Sequence, residues 1–373
     1  MNELARALAE RIRAEGPLSF AEYMRVALYD PERGYYRAGG ERTGWRGHFV
    51  TSPEIDPAFG ALWARAFDEI WRLLDRPERF VVVEVGPGEG GFALSLLKSS
   101  GAEFLQALDL RLVEIDPERR RRQERLLSSA PTAKAVSWTE SVDEMDSFPH
   151  GIVFANEVLD NQPVHVLRNR AGGLQELHVG VDDGRLAEVW LDCADDGLIE
   201  RALASDRPAG VEVEISPAAE DLAFRCAQLP QSGAAVFVDY GLEPGAEDRA
   251  RATLASYSAA GAGNRTLLEP GTADLTAHVD WAAVGAACAQ EAGVATYGPL
   301  EQRRVLLDLG ARVFDERLRD EHGVHLQAGR GAEAVKALSR RQALRAILDP
   351  GGLGGLHVFV AARNLDAPAW FQK

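Results

Sequence analysis

The chain has 373 residues and is 46% hydrophobic, which suffices for one large domain or two ordinary ones. Its formal net charge of −16 argues against a nucleic-acid partner, and it contains no apolar run long enough to predict a membrane span. Three widely spaced cysteines and eight histidines show neither a disulfide framework nor a metal-binding motif. Acids in the N-terminal stretch fit neither a secretory signal nor a mitochondrial presequence, so we expect a cytoplasmic protein.

The first 75 residues predict a helical and loop extension ahead of the first strand. An amphipathic helix over 3–15 precedes Gly-Pro, and Ser19 is positioned to cap a second helix over 20–28. A long irregular segment rich in Gly, Pro and aromatic residues follows. A strongly periodic helix then covers about 57–74. We expect this extension to cover the functional site.

Strands and helices alternate in the next part of the chain, which predicts an α/β fold with a parallel sheet and helices on both faces. The predicted strands are 80–85, 110–115, 134–138, 151–155 and 234–239. The predicted helices between them are 90–98 and 117–128. These features describe a Rossmann-like core.

The later segments depart from this alternation. Residues 163–210 contain stretches of alternating hydrophobicity separated by Gly-rich turns, which predicts a small antiparallel insertion. Residues 241–271 are predicted to form a mobile loop. Helices are predicted over 273–292, 300–318 and 331–348, before a final strand in GGLHVFVAAR. We therefore divide the chain into an extension (1–75), a cofactor half of the core (76–162), an insertion (163–230) and the remaining core (231–373).

The stretch VVVEVGPGEGG, residues 81–91, joins a predicted strand to a turn with four glycines. The spacing Gly86, Gly88, Gly91 fits the dinucleotide fingerprint G-x-G-x-x-G. The spacing Glu84, Gly86, Gly88, Gly90 fits the E-x-G-x-G-x-G turn of S-adenosylmethionine (SAM) methyltransferases. Both cofactors carry an adenosine, so the turn alone leaves both interpretations open.

Two acids near this turn bear on the choice. Glu114 ends the next strand, where an acid accepts hydrogen bonds from ribose hydroxyls of either cofactor. Glu84 precedes the first glycine, and its charge would repel a pyrophosphate but favour the sulfonium and ammonium of SAM. About 80 residues also precede the first core strand, whereas nicotinamide-binding domains often open with theirs. These features favour SAM.

Further segments spread over nearly the whole chain resemble the MidA-like methyltransferases, a family that includes protein-arginine methyltransferases acting in the assembly of mitochondrial complex I. The resemblance rests on the segments GPLSFAEYMRVALYDPERGYY, GHFVTSPEIDPAFG, ANEVLDNQPVH, VFVDYG and DLTAHVDW. It implies a SAM-dependent class I methyltransferase core with an N-terminal helical extension and insertions. It also implies that this protein is an enzyme.

The resemblance assigns residues to the site. It implies that Glu84, Gly86, Gly88, Gly90 and Glu114 bind the cofactor. Asn156, at the mouth of the implied site, is a further cofactor-binding candidate. The candidate catalytic acids are Glu157 and Asp160 in the N-E-x-x-D segment, Glu54 in the T-S-P-E segment and Asp239 at the end of VFVD. Carboxylates suit an arginine acceptor because they bind its planar guanidinium through two hydrogen bonds. No metal is implied.

The sequence departs from the family pattern at positions where substrate would bind. These are His48, Asn161 and the segment YSAAG over 257–261. The leading hypothesis is N-methylation of arginine in a protein partner. A methyltransferase for a small metabolite with an oxygen or nitrogen acceptor stays open as an alternative, as does a SAM-binding assembly factor without turnover.

Overall fold

The computed structural model describes residues 1–37, 51–131, 134–170, 173–204, 210–242, 252–258, 261–263, 267 and 269–371. The chain divides into two compact units. The insertion unit consists of Met1–Gly40, Val158–Ala223 and Gly241–Ala287. The sheet unit consists of Glu41–Glu157, Phe224–Tyr240 and Cys288–Lys373. The division of the chain at residues 75, 162 and 230 stays a prediction.

The α-helices of the described residues are α1 (Glu3–Glu15), α2 (Phe20–Tyr29), α3 (Ser52–Ile55), α4 (Ala58–Leu73), α5 (Gly91–Ser99), α6 (Ala102–Ala107), α7 (Pro117–Leu127), α8 (Asp196–Ala204), α9 (Pro217–Gln228), α10 (Trp281–Cys288), α11 (Gln302–Asp308), α12 (Ala311–Gln327) and α13 (Gly331–Ile347). The helices predicted over 3–15, 20–28, 57–74, 117–128 and 331–348 are confirmed, with ends that differ by one residue at most. Ser19 caps α2 as predicted, since its hydroxyl accepts the N–H of Glu22 at 3.2 Å. Within the described ranges no helix is long and apolar enough to cross a membrane.

The strands are β1 (Leu18–Ser19), β2 (Phe80–Val85), β3 (Leu108–Val113), β4 (Ala135–Thr139), β5 (Phe148–Asn156), β6 (His165–Arg170), β7 (Gly173–Asp182), β8 (Arg185–Asp192), β9 (Glu212–Ile215), β10 (Pro230–Asp239), β11 (Gly241–Leu242), β12 (Ala255–Ser258), β13 (Gly261–Gly263), β14 (Asp274–Thr276), β15 (Val279–Asp280), β16 (Val294–Glu301) and β17 (His357–Arg363). All five predicted core strands and the final strand are present. The segment predicted as a loop over 241–271 contains β11, β12 and β13 among its described residues.

The sheet unit contains a seven-stranded sheet in the order β16-β17-β10-β5-β2-β3-β4. The five strands predicted from the alternation, β2, β3, β4, β5 and β10, run parallel to their neighbours in that group. The final strand β17 runs antiparallel to both β10 and β16. The predicted parallel sheet is therefore present in these five strands, and the antiparallel β17 and β16 make the sheet as a whole mixed.

Aromatic side chains pack helices onto this sheet. Phe92 of α5 stacks on Phe154 of β5 with ring centroids 4.4 Å apart, and Trp63 of α4 lies 5.0 Å from the same ring. All three side chains are almost fully buried, and each such burial contributes about 1.5–3 kcal/mol. This packing fixes the central strands, and with them the loops that follow their carboxyl ends.

The insertion unit contains an antiparallel sheet in the order β1-β7-β6-β9, with β8 paired to β7. The predicted antiparallel insertion is thereby confirmed. Its inner positions are fully buried, Leu167 on β6 and Leu177 on β7 among them. The N-terminal helices α1 and α2 pack on these strands, so that this part of the extension belongs to the same unit as the insertion.

The helix predicted over 273–292 was largely wrong. The segment begins with β14 and β15, and its helix α10 covers only Trp281–Cys288. Leu275 of β14 pairs with Ser256 of β12, and Val279 of β15 pairs with Gly241 of β11. These partners are distant in sequence, and the long-range strand pairing overrides the local helical pattern.

Candidate functional site

The carboxyl ends of four parallel strands meet at one edge of the seven-stranded sheet. Glu84 lies near the end of β2, Glu114 follows β3, Glu157 follows β5 and Asp239 ends β10. The strand order changes direction at β2, because β3 and β4 lie on one side of it and β5 and β10 on the other. Ligands of open α/β sheets bind at such a switch point. The fold thus brings four of the predicted site acids to the expected edge.

The glycine turn between β2 and α5 adopts a backbone that favours glycine. Gly86, Gly88 and Gly90 have φ angles of 67°, 55° and 84°. The N–H of Gly86 donates to the carbonyl of Val113 at 3.1 Å, which fixes the turn to the end of β3. A Cβ added at Gly88 would meet no described atom within 4 Å. The outer side of the turn therefore leaves room for close approach of a ligand.

Glu84 is a buried acid, with 5% of its surface exposed. Its Oε2 has no hydrogen-bond partner among the described residues. Burial raises the pKa of this carboxyl well above its usual range, and the charge of Glu114 raises it further. A cation at this position would favour the ionised form, so the group suits a positively charged ligand.

Glu114 is buried too, but its carboxylate has hydrogen-bond donors around it. Its Oε1 accepts the N–H of Asp116 at 2.9 Å, and its Oε2 accepts from the side chain of Gln123 at 3.0 Å. Nη1 of Arg119 lies 3.9 Å from Oε2. Burial raises the pKa of Glu114, while the charge of Arg119 opposes that shift. A carboxylate offers about four lone pairs, which leaves capacity for the two ribose hydroxyls.

Asn156 and Glu157 lie where β5 ends. The amide Nδ2 of Asn156 donates to Oε1 of Glu157 at 3.1 Å, and its buried Oδ1 has no partner among the described residues. The N–H of Glu157 donates to the carbonyl of Val238 in the neighbouring strand at 2.8 Å. Glu157 has a φ of 53°, which is strained for a residue with a side chain. Strain of this kind is often found at functional sites.

Asp239 and Glu54 both bond to nearby backbone. Asp239 is 1% exposed, and its Oδ1 accepts the N–H of Tyr240 at 2.9 Å. Oε2 of Glu54 accepts the N–H of Thr51 at 3.3 Å, as the capping box of α3 requires. The carbonyl of Pro53 would lie 3.4 Å from a Cβ at Gly91, so the T-S-P-E segment packs beside the glycine turn.

Asp160 belongs to the insertion unit, whereas Glu157 belongs to the sheet unit. Their spacing of three residues would place both acids on one side of a helical turn, but residues 157–164 form no helix. Asp160 is 3% exposed, and its charge raises the pKa of the buried Tyr29, after burial itself and the charge of Asp274. His48 lies outside the described residues, as does part of the segment 257–261.

The residues at the sheet edge fit the chemistry of SAM. The cofactor has an ammonium and a sulfonium, which suit the buried acceptors of Glu84 and Asn156. Its ribose hydroxyls suit the carboxylate of Glu114, and the open turn at Gly88 admits a ligand close to the backbone. No group of three or more His, Cys, Asp or Glu in the described ranges is arranged to hold a metal ion.

The sequence interpretation missed a side chain that links these parts. Gln123 on α7 donates to the carbonyl of Gly88 at 2.7 Å as well as to Glu114. Its carbonyl accepts the indole N–H of Trp138 at 2.9 Å. A signal was present, because Arg119, Gln123 and Leu127 recur every four residues and form the buried stripe of this charged helix.

The strand order, the switch point and the glycine turn together define a class I methyltransferase fold. A family model for S-adenosyl-L-methionine-dependent methyltransferases matches residues 62–300, more than half of the chain. The protein belongs to this family of SAM-dependent methyltransferases. Its cofactor is SAM, and the dinucleotide interpretation of the glycine turn is set aside.

Curated relatives extend the similarity to most of the chain. Protein arginine methyltransferase NDUFAF7, mitochondrial, from Mus musculus is 30% identical over 349 residues, covering 86% of this chain and 77% of the relative. The Homo sapiens protein of the same name is 28% identical and covers 83% of this chain and 74% of the relative.

Solved structures share the same fold. A Burkholderia thailandensis protein solved with bound S-adenosyl-homocysteine is 29% identical, with a TM-score of 0.85 over 98% of this chain and 92% of that protein. A native crystal structure from the same organism is 28% identical, with a TM-score of 0.84 over 99% of this chain and 94% of that one. The match to a structure with a bound cofactor product agrees with the family assignment.

Proposed function

We propose that this protein transfers the methyl group of SAM to a side-chain nitrogen of arginine in a protein partner. Relatives named as protein arginine methyltransferases, at 28–30% identity over more than four-fifths of the chain, support this acceptor. The net charge of −16 is compatible with a basic partner. The observation that carries the proposal is the presence of two acids, Glu157 and Asp239, at neighbouring strand ends.

In this proposal the sheet edge holds SAM and aligns its methyl group with the acceptor. Glu84 and Asn156 bind the amino-acid end, and Glu114 binds the ribose hydroxyls. Gly86, Gly88 and Gly90 let the backbone approach the cofactor. Exclusion of water and positioning at attack distance supply most of the acceleration of such an in-line transfer.

The acids Glu157 and Asp239 bind the guanidinium. Asn156 of β5 pairs with Val238 of β10, and the two acids are the residues that follow this pair. The backbone N–H of Glu157 also donates to the carbonyl of Val238. Two carboxylates orient a planar guanidinium by charge-assisted hydrogen bonds. As the new N–C bond forms, the bond between the methyl carbon and the sulfur of SAM breaks and S-adenosyl-homocysteine is released. The nitrogen loses a proton, which a hydrogen-bonded carboxylate accepts. Catalytic roles for Asp160 and Glu54 stay predictions.

The test replaces Glu157 by Gln, which preserves the shape and removes the charge. The purified protein and its Glu157→Gln variant are incubated with radiolabelled SAM and lysate, which is then separated into protein and small-molecule fractions. We expect wild type to label arginine in protein, located by mass spectrometry. The variant is expected to bind SAM nearly as well and to lose that labelling.

A matched control is Glu103→Gln, which removes the same charge from an 80% exposed side chain of the sheet unit. Label that appears only in small molecules, and persists with Glu157→Gln, would replace the arginine proposal by a metabolite methyltransferase. Tight SAM binding with no transfer to either fraction would indicate an assembly factor without turnover.

The cytoplasmic location stays a prediction from the N-terminal sequence. The similar relatives are named as mitochondrial proteins and do not support it. Fractionation of cells that express the full chain with a C-terminal tag decides between the two compartments.

A further inference from the structure

Gln123 links three separate parts of the cofactor edge. The residue is 0% exposed, and its amide uses both donors and its acceptor. Nε2 donates to the Gly88 carbonyl at 2.7 Å and to Oε2 of Glu114 at 3.0 Å, while Oε1 accepts from Nε1 of Trp138 at 2.9 Å. One side chain therefore ties together the glycine turn, the end of β3 and strand β4.

The chemistry of the partners fixes the orientation of this amide. The carbonyl of Gly88 and the carboxylate of Glu114 can only accept, whereas the indole of Trp138 can only donate. A flipped amide would set its oxygen against two acceptors and its NH₂ against the indole N–H. The observed orientation is thus required, and Glu114 is held in a fixed position relative to the turn.

Glycine at position 90 allows this close approach. A Cβ at Gly90 would lie 3.3 Å from Cγ of Gln123, tighter than most such contacts. Gly90 also has a φ of 84° and immediately precedes α5. The third glycine of the E-x-G-x-G-x-G spacing therefore accommodates a side chain of α7 as well as the turn itself.

We propose that Gln123 is a positioning residue of the SAM site, which acts on the ribose end of the cofactor through Glu114. By donating to Oε2, it holds the carboxylate in place and leaves the remaining lone pairs for the ribose hydroxyls. By donating to Gly88, it sets the distance between the turn and that carboxylate. The inference rests on the role of Glu114 in the proposed function and deepens it.

The test measures binding of S-adenosyl-homocysteine by calorimetry, which is independent of the acceptor. Gln123→Glu keeps the volume and the acceptor for Trp138 but removes both donors. We expect its affinity to fall about tenfold or more, the scale of a hydrogen bond to a charged group. The matched control is Gln228→Glu, because Gln228 also donates to a carboxylate, Glu291, at 2.9 Å. That control is expected to bind normally.

A pH profile separates positioning from packing. The introduced carboxyl faces Glu114, which contacts the backbone N–H of Asp116 and the side chain of Arg119, and Arg119 in turn lies beside Glu89. As the pH falls it becomes protonated and can again donate one hydrogen bond, so the affinity ratio of wild type to Gln123→Glu is expected to narrow. A ratio that is constant from pH 8 to pH 5 would contradict the proposal.

A double-mutant cycle tests the route through Glu114. Gln123→Leu is expected to weaken binding about tenfold in wild type but less than twofold in the Glu114→Ala background. If Gln123→Leu weakens binding by the same factor in wild type and in the Glu114→Ala background, the proposal is overturned. If Gln123→Leu fails to fold, the cycle is run with Gln123→Glu. Unchanged binding by Glu114→Ala alone would instead refute the proposed cofactor role of Glu114, a distinguishable failure.

Discussion

Replacing Glu84 by Gln is expected to stabilise the protein while weakening its cofactor binding. Glu84 is 5% exposed, and its Oε2 has no hydrogen-bond partner among the described residues. Burial and the charge of Glu114 raise its pKa well above the usual 4.5. The ionised form is therefore unfavourable in the folded protein, and the neutral amide of Gln removes that cost.

The pH dependence follows from the raised pKa. Below about pH 4.5 the carboxyl is protonated in folded and unfolded chains alike, so it adds no pH dependence to the free energy of unfolding. Above that value the unfolded chain loses the proton first, and the free energy of unfolding falls as the pH rises, until the folded pKa is passed. The advantage of Glu84→Gln grows over this window by about 1.4 kcal/mol for each unit by which the pKa is raised.

Urea unfolding of wild type and Glu84→Gln at pH 5, 6, 7 and 8 measures this difference. Calorimetry at pH 8 with S-adenosyl-homocysteine measures the opposite effect on binding. Loss of a hydrogen bond to a charged acceptor, worth about 1.5–3 kcal/mol, predicts binding weaker by about 10- to 150-fold. Glu103→Gln, at an 80% exposed side chain, serves as the control for the change in net charge.

Two results would refute the reasoning. Unfolding free energies of wild type and variant that stay parallel from pH 5 to pH 8 would show that the carboxyl of Glu84 is not destabilised by burial. Unchanged affinity for S-adenosyl-homocysteine would show that this carboxylate does not contact the cofactor. A variant that is more stable yet binds normally would separate the two effects and leave Glu84 outside the site.

Two further substitutions give expectations of their own. Glu114→Ala is expected to weaken S-adenosyl-homocysteine binding by about 1.5–3 kcal/mol in calorimetry with the fold intact; unchanged affinity with a lower melting temperature would make Glu114 structural. Gly233→Ala is expected to prevent folding, seen as loss of the cooperative thermal transition, because the new Cβ would lie 1.8 Å from the carbonyl oxygen of Gly151 and φ is 147° there. A Gly233→Ala variant with a normal transition would contradict the tight pairing of β5 and β10.

The core elements could be predicted because their signals are local. β2 covers Phe80–Val85 as predicted, since a run of buried β-branched residues ends in a glycine turn. The sequence analysis missed β16, Val294–Glu301, because its half-buried and exposed residues do not alternate regularly. It also contains Pro299, which disfavours a strand assignment. It is an edge strand, and its partner β17 lies more than 50 residues further along the chain.

The candidate site was predictable to the extent that it follows strand ends. Glu84, Glu114 and Asp239 were identified because acids directly at the ends of parallel strands meet at one edge. The three-residue spacing of Glu157 and Asp160 is that of a shared helical face, but a φ of 53° at Glu157 excludes a right-handed helix there. The spacing of Arg119, Gln123 and Leu127 could have placed Gln123 on the buried stripe of α7, but its role depends on three partners that only the fold brings together.

In the proposed function, the acids of the sheet edge link stability to cofactor binding. The pKa of Glu84 is raised partly by the charge of Glu114, so the two carboxylates are unfavourable neighbours when both are ionised. A cofactor that carries positive charge favours their ionised forms and removes part of this repulsion. Since Gln123 and the N–H of Asp116 hold Glu114 by hydrogen bonds, that carboxylate cannot rotate away to relieve it. This arrangement lowers the stability of the folded protein, and in the proposed function the same two carboxylates gain by binding a cation.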